Sequence, residues 1–475
     1  MTQKPFIHLI KSPYHHYVFD VNTNSILRVS KELSEYLQAE QIGKAAPTLS
    51  QSAAQEMDSL KQNGYLKTKH PKKIENPQIR DVEYLLEYQL NMLTLQVTQQ
   101  CNFRCSYCTY STGDGIIQRG HSSKSMSIQT AKQAVDFFKK RVRHRSKINI
   151  GYYGGEPLIE WPLIKEVTKY AQKCLEGKEL TFSMTTNATL LTEEMARFFT
   201  ENHFSLLISL DGPKEIHDRS RRFAGNGEGT FDSVIAKIEE MKRKVPGFQD
   251  ILSFNSVIDP CNPSACISEF FRNMHTDARA STLNPPPGTS LVYPMEYLRE
   301  MKKASLTGYL YHLGLVPNDK MDLFSTSEAG QIHLQMDHKM TLKELPDVCG
   351  HAGPCIPGLS RMFVDVQGNI FPCERCSETS GSMKIGHIAK GFDYDNIKKV
   401  MGIASLTEDS CKNCWALFKC NICAAQISEE KEFSAAGILS KCANVRNNAE
   451  ENLRQVIAVS EVQKMAHTLH QGERS

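Results

Sequence analysis

The spacing of hydrophobic positions changes along the chain and predicts several kinds of element. Between residues 91 and 290, short β-rich runs alternate with longer amphipathic stretches, as in successive parallel βα units. The amphipathic stretches at residues 127–142 and 230–245 are long enough to be crossover helices. Six such units predict an α/β chain with a partial (β/α)6 barrel. The predicted strands read NMLTLQVT, INIGYYG, LTFSMTTN, FSLLISLDG, ILSFNSVID and RASTLN.

The pattern before the barrel differs and indicates a module of its own over residues 1–88. Residues 14–30 alternate like a β-hairpin that turns around Asn22 and Asn24, and two helical stretches follow. A polar linker with Lys72 and Lys73 then separates this module from the barrel. The whole chain is predicted to divide into residues 1–88, a barrel at 89–292, a helical bridge at 293–345, a cysteine-rich domain at 346–450 and a terminal helix at 451–475.

Composition narrows the choice of partners and compartment. At 475 residues the chain is too long for one core, and two or three domains are expected. Lys and Arg number 56 against 53 Asp and Glu, so the charge of +3 predicts neither a nucleic-acid nor a membrane partner. No run of about 20 apolar residues occurs, and the first residues lack a signal-peptide pattern. We therefore expect a cytoplasmic protein.

The 15 cysteines fall into two groups. Three lie at residues 101–108 and nine at residues 349–442. In a reducing compartment, grouped cysteines indicate metal thiolates rather than disulfides. The other three, Cys174, Cys261 and Cys266, are predicted to be buried, inert thiols.

The first group, Cys101-x3-Cys105-x2-Cys108, directly follows the first barrel strand. Three thiolates can hold one face of a [4Fe-4S] cube and leave one iron free to bind amino and carboxylate groups. A zinc site without its fourth ligand is the alternative. With Tyr107 inside it, the group resembles that of the radical S-adenosylmethionine (radical SAM) superfamily. The resemblance implies that the three cysteines bind the catalytic cluster and that Tyr107 packs beside the adenine of S-adenosylmethionine.

Polar segments after the next strands extend this resemblance. Gly154-Gly155-Glu156-Pro157 matches a family segment in which the glycines admit the methionine ammonium and the glutamate can bind its charge. The further cofactor contacts that the resemblance implies are Thr185, Asn187, Ser209, Asp211 and Arg221. Arg221 would bind the carboxylate of the cofactor, although Arg219 and Arg222 are competing candidates. Asn187 could instead cap a helix, and Ser209 could instead satisfy a strand end.

The second cysteine group resembles the SPASM extension of radical SAM enzymes over residues 346–445. Its cysteines suffice for two further [4Fe-4S] clusters with four thiolates each, and a zinc ribbon is the alternative. The x2 spacing before Cys423, where the family has x3, leaves the role of Cys423 open. Cys376 is surplus and is an alternative ligand to Cys349 or Cys423. The resemblance implies a nearer cluster on Cys349, Cys355, Cys373 and Cys423 and a farther one on Cys411, Cys414, Cys420 and Cys442.

Together these resemblances imply an enzyme that cleaves S-adenosylmethionine reductively and uses a 5'-deoxyadenosyl radical on a ribosomally made peptide. The N-terminal module resembles a winged-helix-like domain that pairs a leader peptide with a strand edge, here near residues 17–20 or 26–29; a purely structural appendage is the alternative. The expected partners are a precursor peptide with its leader and an electron donor such as flavodoxin or ferredoxin.

The bond that the enzyme forms is predicted from resemblance alone. Thioether formation, as in ribosomal peptide (RiPP) maturases, is the first choice, and carbon–carbon or ether crosslinking and epimerisation are its rivals. Formylglycine formation by an anaerobic sulfatase maturase is a second hypothesis, although such enzymes usually begin close to the cysteine triad. A non-catalytic electron-transfer protein is a third, but it would give the free iron and the Gly-Gly-Glu-Pro segment no purpose.

Overall fold

The computed structural model describes residues 4–108, 121–274, 278–283, 292–337, 342–351, 353, 355–427 and 432–472. Its N-terminal part is an antiparallel sheet of β1 (Ile7–Lys11), β2 (His16–Asp20) and β3 (Ser25–Val29), in that order. Helices α1 (Lys31–Ile42) and α2 (Gln51–Gln62) follow, each begun by a serine that accepts a hydrogen bond from the first turn. The short strand β4 (Lys73–Ile74) and helix α3 (Val82–Tyr88) lead into the barrel.

Strands β2 and β3 form the predicted hairpin, but one of the two strands proposed as an open edge for a peptide is wrong. Strand β2 pairs with β1 on one side and with β3 on the other. Residues 17–20 therefore have no open edge, because a further strand, β1, precedes the pattern that the sequence revealed. Residues 26–29 belong to the outer strand β3.

Six parallel strands form the barrel, as the alternating pattern predicted, and each pairs with the next along the chain. Six helices of the described residues lie between them: α4 (Ile128–Arg141), α5 (Trp161–Cys174), α6 (Glu193–Glu201), α7 (Lys214–Ser220), α8 (Phe231–Lys244) and α9 (Ser264–Asn273). The strands are β5 (Met92–Thr98), β6 (Lys147–Gly154), β7 (Glu179–Thr186), β8 (Phe204–Ser209), β9 (Leu252–Ile258) and β10 (Ala278–Thr282).

The cysteine-rich region continues the barrel sheet. Strand β12 (Met362–Val364) pairs in parallel with β5, and three short antiparallel strands follow it. They are β13 (Asn369–Phe371), β14 (Gly386–His387) and β15 (Gly391–Phe392). Helices α10 (Met295–His312) and α11 (Leu323–Asp337) precede this region, whose other elements are β11 (Val348–Cys349), α12 (Tyr394–Met401), α13 (Glu408–Lys412) and α14 (Ala435–Gly472).

The N-terminal sheet packs on the C-terminal part of the chain through a common core. Its buried members come from β1 and β2, from β4 and from the cysteine-rich region and α14. The ring of Trp415 stacks on His8 with 3.8 Å between centroids. Glu461 of α14 accepts hydrogen bonds from Tyr17 Oη at 2.8 Å and Ser12 Oγ at 2.7 Å. None of the helices in the described ranges has an apolar stretch long enough to cross a membrane.

Candidate active site

The first cysteine group forms a loop at the carboxyl end of β5. Backbone bonds hold it, with Ser106 N donating to Ser220 O at 3.0 Å and Ala224 N to Asn102 O at 2.8 Å. Burial raises the pKa of Cys101 to about 12, and the nearby charges of Cys105 and Cys108, among others, add to this shift. Cys108 N also donates to Cys105 O at 3.1 Å, and the side chains of all three cysteines pack against the barrel core.

The end of β6 lies directly against this loop because it carries glycines. A Cβ at Gly154, whose φ is 151°, would stand 2.2 Å from Thr98 O. A Cβ at Gly155 would stand 2.1 Å from Gln100 O and 3.0 Å from Cys101 Cβ. Any larger residue would push the strand end away from the cysteine loop. Close backbone and three adjacent thiols fit the requirements of an iron–sulfur cluster.

Glu156 follows these glycines and is buried, with 1% of its surface exposed. Its Oε1 accepts from Thr186 Oγ1 at 2.6 Å and Leu158 N at 3.0 Å, and its Oε2 accepts from Asn187 N at 2.7 Å. Burial raises the pKa of this carboxyl, and the three bonds oppose that rise. Glu156 thus joins the ends of β6 and β7, a role that the sequence interpretation did not foresee.

The amide of Asn187 extends this connection to the cysteine loop. Asn187 Nδ2 donates to Asn102 Oδ1 at 2.8 Å, and Thr189 Oγ1 donates to Asn187 Oδ1 at 2.7 Å. Asn102, between two cysteines in sequence, was missed because an amide in a loop gives no motif. Thr185 and Ser209 lie half-buried at the ends of β7 and β8.

Asp211 and Arg221 form a buried ion pair behind the cysteine loop. Arg221 Nε donates to Asp211 Oδ2 at 2.9 Å and Nη2 to Oδ1 at 3.0 Å, and both side chains are less than 10% exposed. Tyr107 Oη donates to Asp211 Oδ2 at 2.5 Å, and Val257 N donates to Oδ1 at 3.0 Å. Burial raises the pKa of Cys105 to about 11, and the guanidinium of Arg221 opposes this rise. The sequence analysis named Tyr107, Asp211 and Arg221 but assigned them to the cofactor rather than to one another.

A buried histidine supports this pair from the same turn. His217 Nδ1 accepts from Asp211 N at 3.3 Å, and its Nε2 lies 2.9 Å from Thr230 Oγ1. Thr230 Oγ1 donates to Arg221 O at 3.1 Å. Because Nδ1 accepts, the network assigns the proton to Nε2 and the ring is neutral. Burial, aided by Arg221, lowers the pKa of His217 to about 4.

Comparison with known proteins identifies the barrel. Residues 95–259 match the family model of the radical SAM superfamily. The barrel is a radical SAM domain. Its match spans the cysteine loop, the Gly-Gly-Glu-Pro segment and the Asp211–Arg221 pair. The chain is therefore an enzyme, and its superfamily implies binding of S-adenosylmethionine and a [4Fe-4S] cluster.

Relatives of this radical SAM enzyme include a cyclopropyl synthase and a sulfatase-maturating enzyme. The radical SAM cyclopropyl synthase TigE of Paramaledivibacter caminithermalis is 20% identical over 72% of this chain and 69% of its own length. A cysteine-type anaerobic sulfatase-maturating enzyme of Clostridium novyi is 27% identical over 68% of this chain and 85% of its own. The solved structure of native anSMEcpe with bound AdoMet and Cp18Cys peptide shares the fold, with a TM-score of 0.54 and 18% identity. The match covers 76% of this chain and 99% of that one.

Beyond the radical SAM domain, four cysteines come together as the farther predicted set. Burial raises the pKa of Cys420 to about 11, and the charges of Cys414, Cys411 and Cys442 add to this shift. Cys442 lies on α14, which begins at residue 435, well before the terminal helix expected from residue 451. This helix therefore carries a thiol to a loop about 20 residues earlier in the chain.

The nearer predicted set is not brought together as a whole. Cys355, Cys373 and Cys423 are neighbours, since Cys423 and Cys373 both add to the burial effect that raises the pKa of Cys355 to about 11. Cys349 instead lies in the core shared with the N-terminal sheet. Cys373 has a different neighbour, because its Sγ lies 4.0 Å from Cys376 Sγ.

Two of the three cysteines outside these groups were predicted wrongly. Cys261 and Cys266 are exposed rather than buried, since they lie after β9 and on the solvent side of α9. Cys174, at the end of α5, is half-buried.

No three His, Cys, Asp or Glu side chains of the described residues converge closely enough to bind a single metal ion. A four-iron cube attaches each thiolate to a different iron, so its ligands stand farther apart than those around one ion.

A polar contact that the sequence did not reveal joins the cysteine-rich region to the interior of the radical SAM barrel. Glu378 Oε1 accepts from Gln96 Nε2 at 2.6 Å, and its Oε2 accepts from Gln99 Nε2 at 3.1 Å. Gln96 is fully buried, and its Oε1 accepts from Val366 N at 3.2 Å. The carboxylate of Glu378 is thus positioned next to the cysteine loop, because Gln99 lies two residues before Cys101.

Proposed function

We propose that this radical SAM enzyme modifies a ribosomally synthesised precursor peptide and installs a thioether between a cysteine sulfur and a carbon of that peptide. The proposal draws on a relative whose name describes sulfatase maturation and on a structure of the same fold that holds a bound peptide. It also draws on the N-terminal sheet, whose outer strand β3 has no further strand beside it among the described residues. It includes three [4Fe-4S] clusters and an electron donor such as flavodoxin or ferredoxin.

Cys101, Cys105 and Cys108 would hold the catalytic cluster, and Cys411, Cys414, Cys420 and Cys442 the farther auxiliary one. When bound, the catalytic cluster and S-adenosylmethionine supply a 5'-deoxyadenosyl radical that removes hydrogen from carbon. The chain's own residues position the reactants: Glu156 and Asn187 fix the strand ends beside the cysteine loop, and Asp211 and Arg221 fix the turn behind it.

The observation that carries the peptide proposal is the outer strand β3. The two outer strands of the N-terminal sheet differ, because α14 flanks β1: Arg454 Nη1 donates to Lys11 O at 2.9 Å and His8 Nε2 lies 3.4 Å from Glu450. The contacts to α14 thus favour β3 as the edge that accepts a peptide. Main-chain pairing at such an edge provides affinity without any catalytic motif.

Proline scanning of the two outer strands tests this role. Alternate residues of an outer strand direct N–H outward, so one of Leu27→Pro and Arg28→Pro removes a free donor and the other damages the sheet. The variant that keeps the wild-type circular dichroism spectrum should lose most peptide modification and keep reductive cleavage of S-adenosylmethionine. Leu9→Pro and Ile10→Pro, in register on β1, are the matched controls. Equal loss from a folded β1 variant, or no loss from β3, would contradict the assignment.

Formylglycine formation is a second candidate, supported by the 85% of the Clostridium novyi enzyme's length that this chain spans. The name of TigE describes a carbon–carbon product instead. Mass spectrometry after anaerobic reaction with a cysteine-containing precursor peptide separates them. A thioether keeps the sulfur and loses two hydrogens, whereas formylglycine loses the sulfur. Modification of a sulfatase-derived peptide but of no leader-bearing peptide would reject the proposal.

A further inference from the structure

The cysteine-rich region contains nine cysteines, one more than two four-thiolate clusters require. Cys411, Cys414, Cys420 and Cys442 form one group, so the nearer site must choose its four from the remaining five. Spacing alone points to Cys349, and the structure allows its surroundings to be compared with those of Cys376.

Cys376 lies beside the other thiols of the nearer site. Its Sγ is 4.0 Å from Cys373 Sγ, and its backbone N donates to Cys373 O at 3.2 Å, a turn that places both thiols on one side. The side chain is 2% exposed and packs in an apolar cluster that also holds Ile422, the residue before Cys423.

Cys355 reaches the same place through a close backbone contact. Gly353 N donates to Cys420 O at 2.8 Å, and a Cβ at Gly353 would stand 2.7 Å from Ile422 O. The segment that carries Cys355 therefore lies directly on the segment that ends in Cys423. This contact brings the segments of Cys355 and Cys423 together, and Ile422 packs in the same apolar cluster as Cys373 and Cys376.

Cys349 faces a different core. It lies in β11, which pairs with β4, and Glu75 N donates to Cys349 O at 3.0 Å. Its side chain is 5% exposed and packs with Ile74 and Leu417 in the core that supports the N-terminal sheet.

We propose that Cys355, Cys373, Cys376 and Cys423 hold the nearer auxiliary cluster and that Cys349 is a packing residue at the junction with the N-terminal sheet. The assignment rests on the proposed three-cluster enzyme and departs from the spacing of the SPASM pattern. Cys376 replaces a thiol that the β4–β11 pairing holds elsewhere.

Iron analysis in a background without the catalytic cluster tests this assignment. The full chain with Cys101, Cys105 and Cys108 changed to Ala, reconstituted anaerobically with ⁵⁷Fe, should bind about eight irons. A baseline of about four would count against the three-cluster proposal; the variants below would still identify the ligands by which of them loses iron.

Cys376→Ser and Cys349→Ser are matched, because both side chains are buried and the change is nearly isosteric. Cys376→Ser should lose about four irons, with one cluster left in the Mössbauer spectrum, while Cys349→Ser should keep all of them. Iron loss from Cys349→Ser, or full retention by Cys376→Ser, would overturn the assignment. If Cys376→Ser loses every iron through misfolding, Cys349→Ser still decides: full retention supports Cys376, and loss refutes it.

Discussion

Replacing Arg221 with Gln would leave the carboxylate of Asp211 buried without its cation. Asp211 is 2% exposed, and among the described residues its carboxylate would keep the bonds from Tyr107 Oη and Val257 N alone. Breaking a buried ion pair by removing one partner costs about 3–5 kcal/mol. The reverse change, Asp211→Asn, leaves a buried guanidinium and should cost a similar amount. The double variant has no unpaired charge, so it should cost less than the sum by about 1–3 kcal/mol.

Urea unfolding of the cluster-free full chain measures these free energies, provided that the transition is reversible and the same by two probes. The chain has two tryptophans, and in a Trp415→Phe background the fluorescence of Trp161, at the start of α5, reports on the barrel alone. Lys165→Gln, at an exposed ion pair with Glu194, is the control and should cost less than about 1 kcal/mol. If both single variants at the buried pair cost no more than this control, the reasoning is refuted.

Three further results are expected. Glu156→Ala should cost about 2–5 kcal/mol in the same titration, because Leu158 N and Asn187 N lose their acceptor, while Glu156→Gln should cost clearly less; equal costs would contradict the structural role. Folding stability should fall below pH 6.5 towards pH 4, because His217 has a lowered pKa of about 4 and the unfolded chain binds the proton first. His217→Asn should remove up to about 3 kcal/mol of that pH dependence. An unchanged pH profile in this variant would exclude His217 as its cause. Reconstituted wild-type protein should bind about twelve irons, and iron for one cluster or stoichiometric zinc would reject three clusters.

The barrel was predictable because its signals are local. The ends of each predicted strand run lie within about three residues of the observed strand, because the two-residue and 3.6-residue periods can each be recognised within a single element. Strand β1 (Ile7–Lys11) was missed because the turn signal around Asn22 and Asn24 marks only the two strands beside it, β2 and β3. The short strands β12 to β15 have two or three residues each and give no periodicity at all.

The candidate site was predictable in its residues but not in their partners. Motif spacing located Glu156, Asp211 and Arg221, but burial decides whether a charged group faces a ligand or another side chain, and burial is a tertiary property. The bond from Gln96 to Glu378 spans 282 positions, and no local pattern encodes it. The same holds for the fourth thiol of the nearer cluster site: the spacing favoured Cys349, whereas the surroundings favour Cys376.

The core shared by the N-terminal sheet and the cysteine-rich region changes how substrate recognition must be tested. Deleting residues 1–88 would remove β4, the partner of Val348–Cys349, and would expose the apolar surface around Leu417 and Leu453. Loss of activity would then follow from damage to the cluster domain as readily as from loss of a peptide edge. Single changes on the outer face of β3 leave that core intact, because the residues that enter it come mainly from β1 and β2. Single changes on β3, unlike the deletion, therefore separate recognition of the peptide from assembly of the clusters.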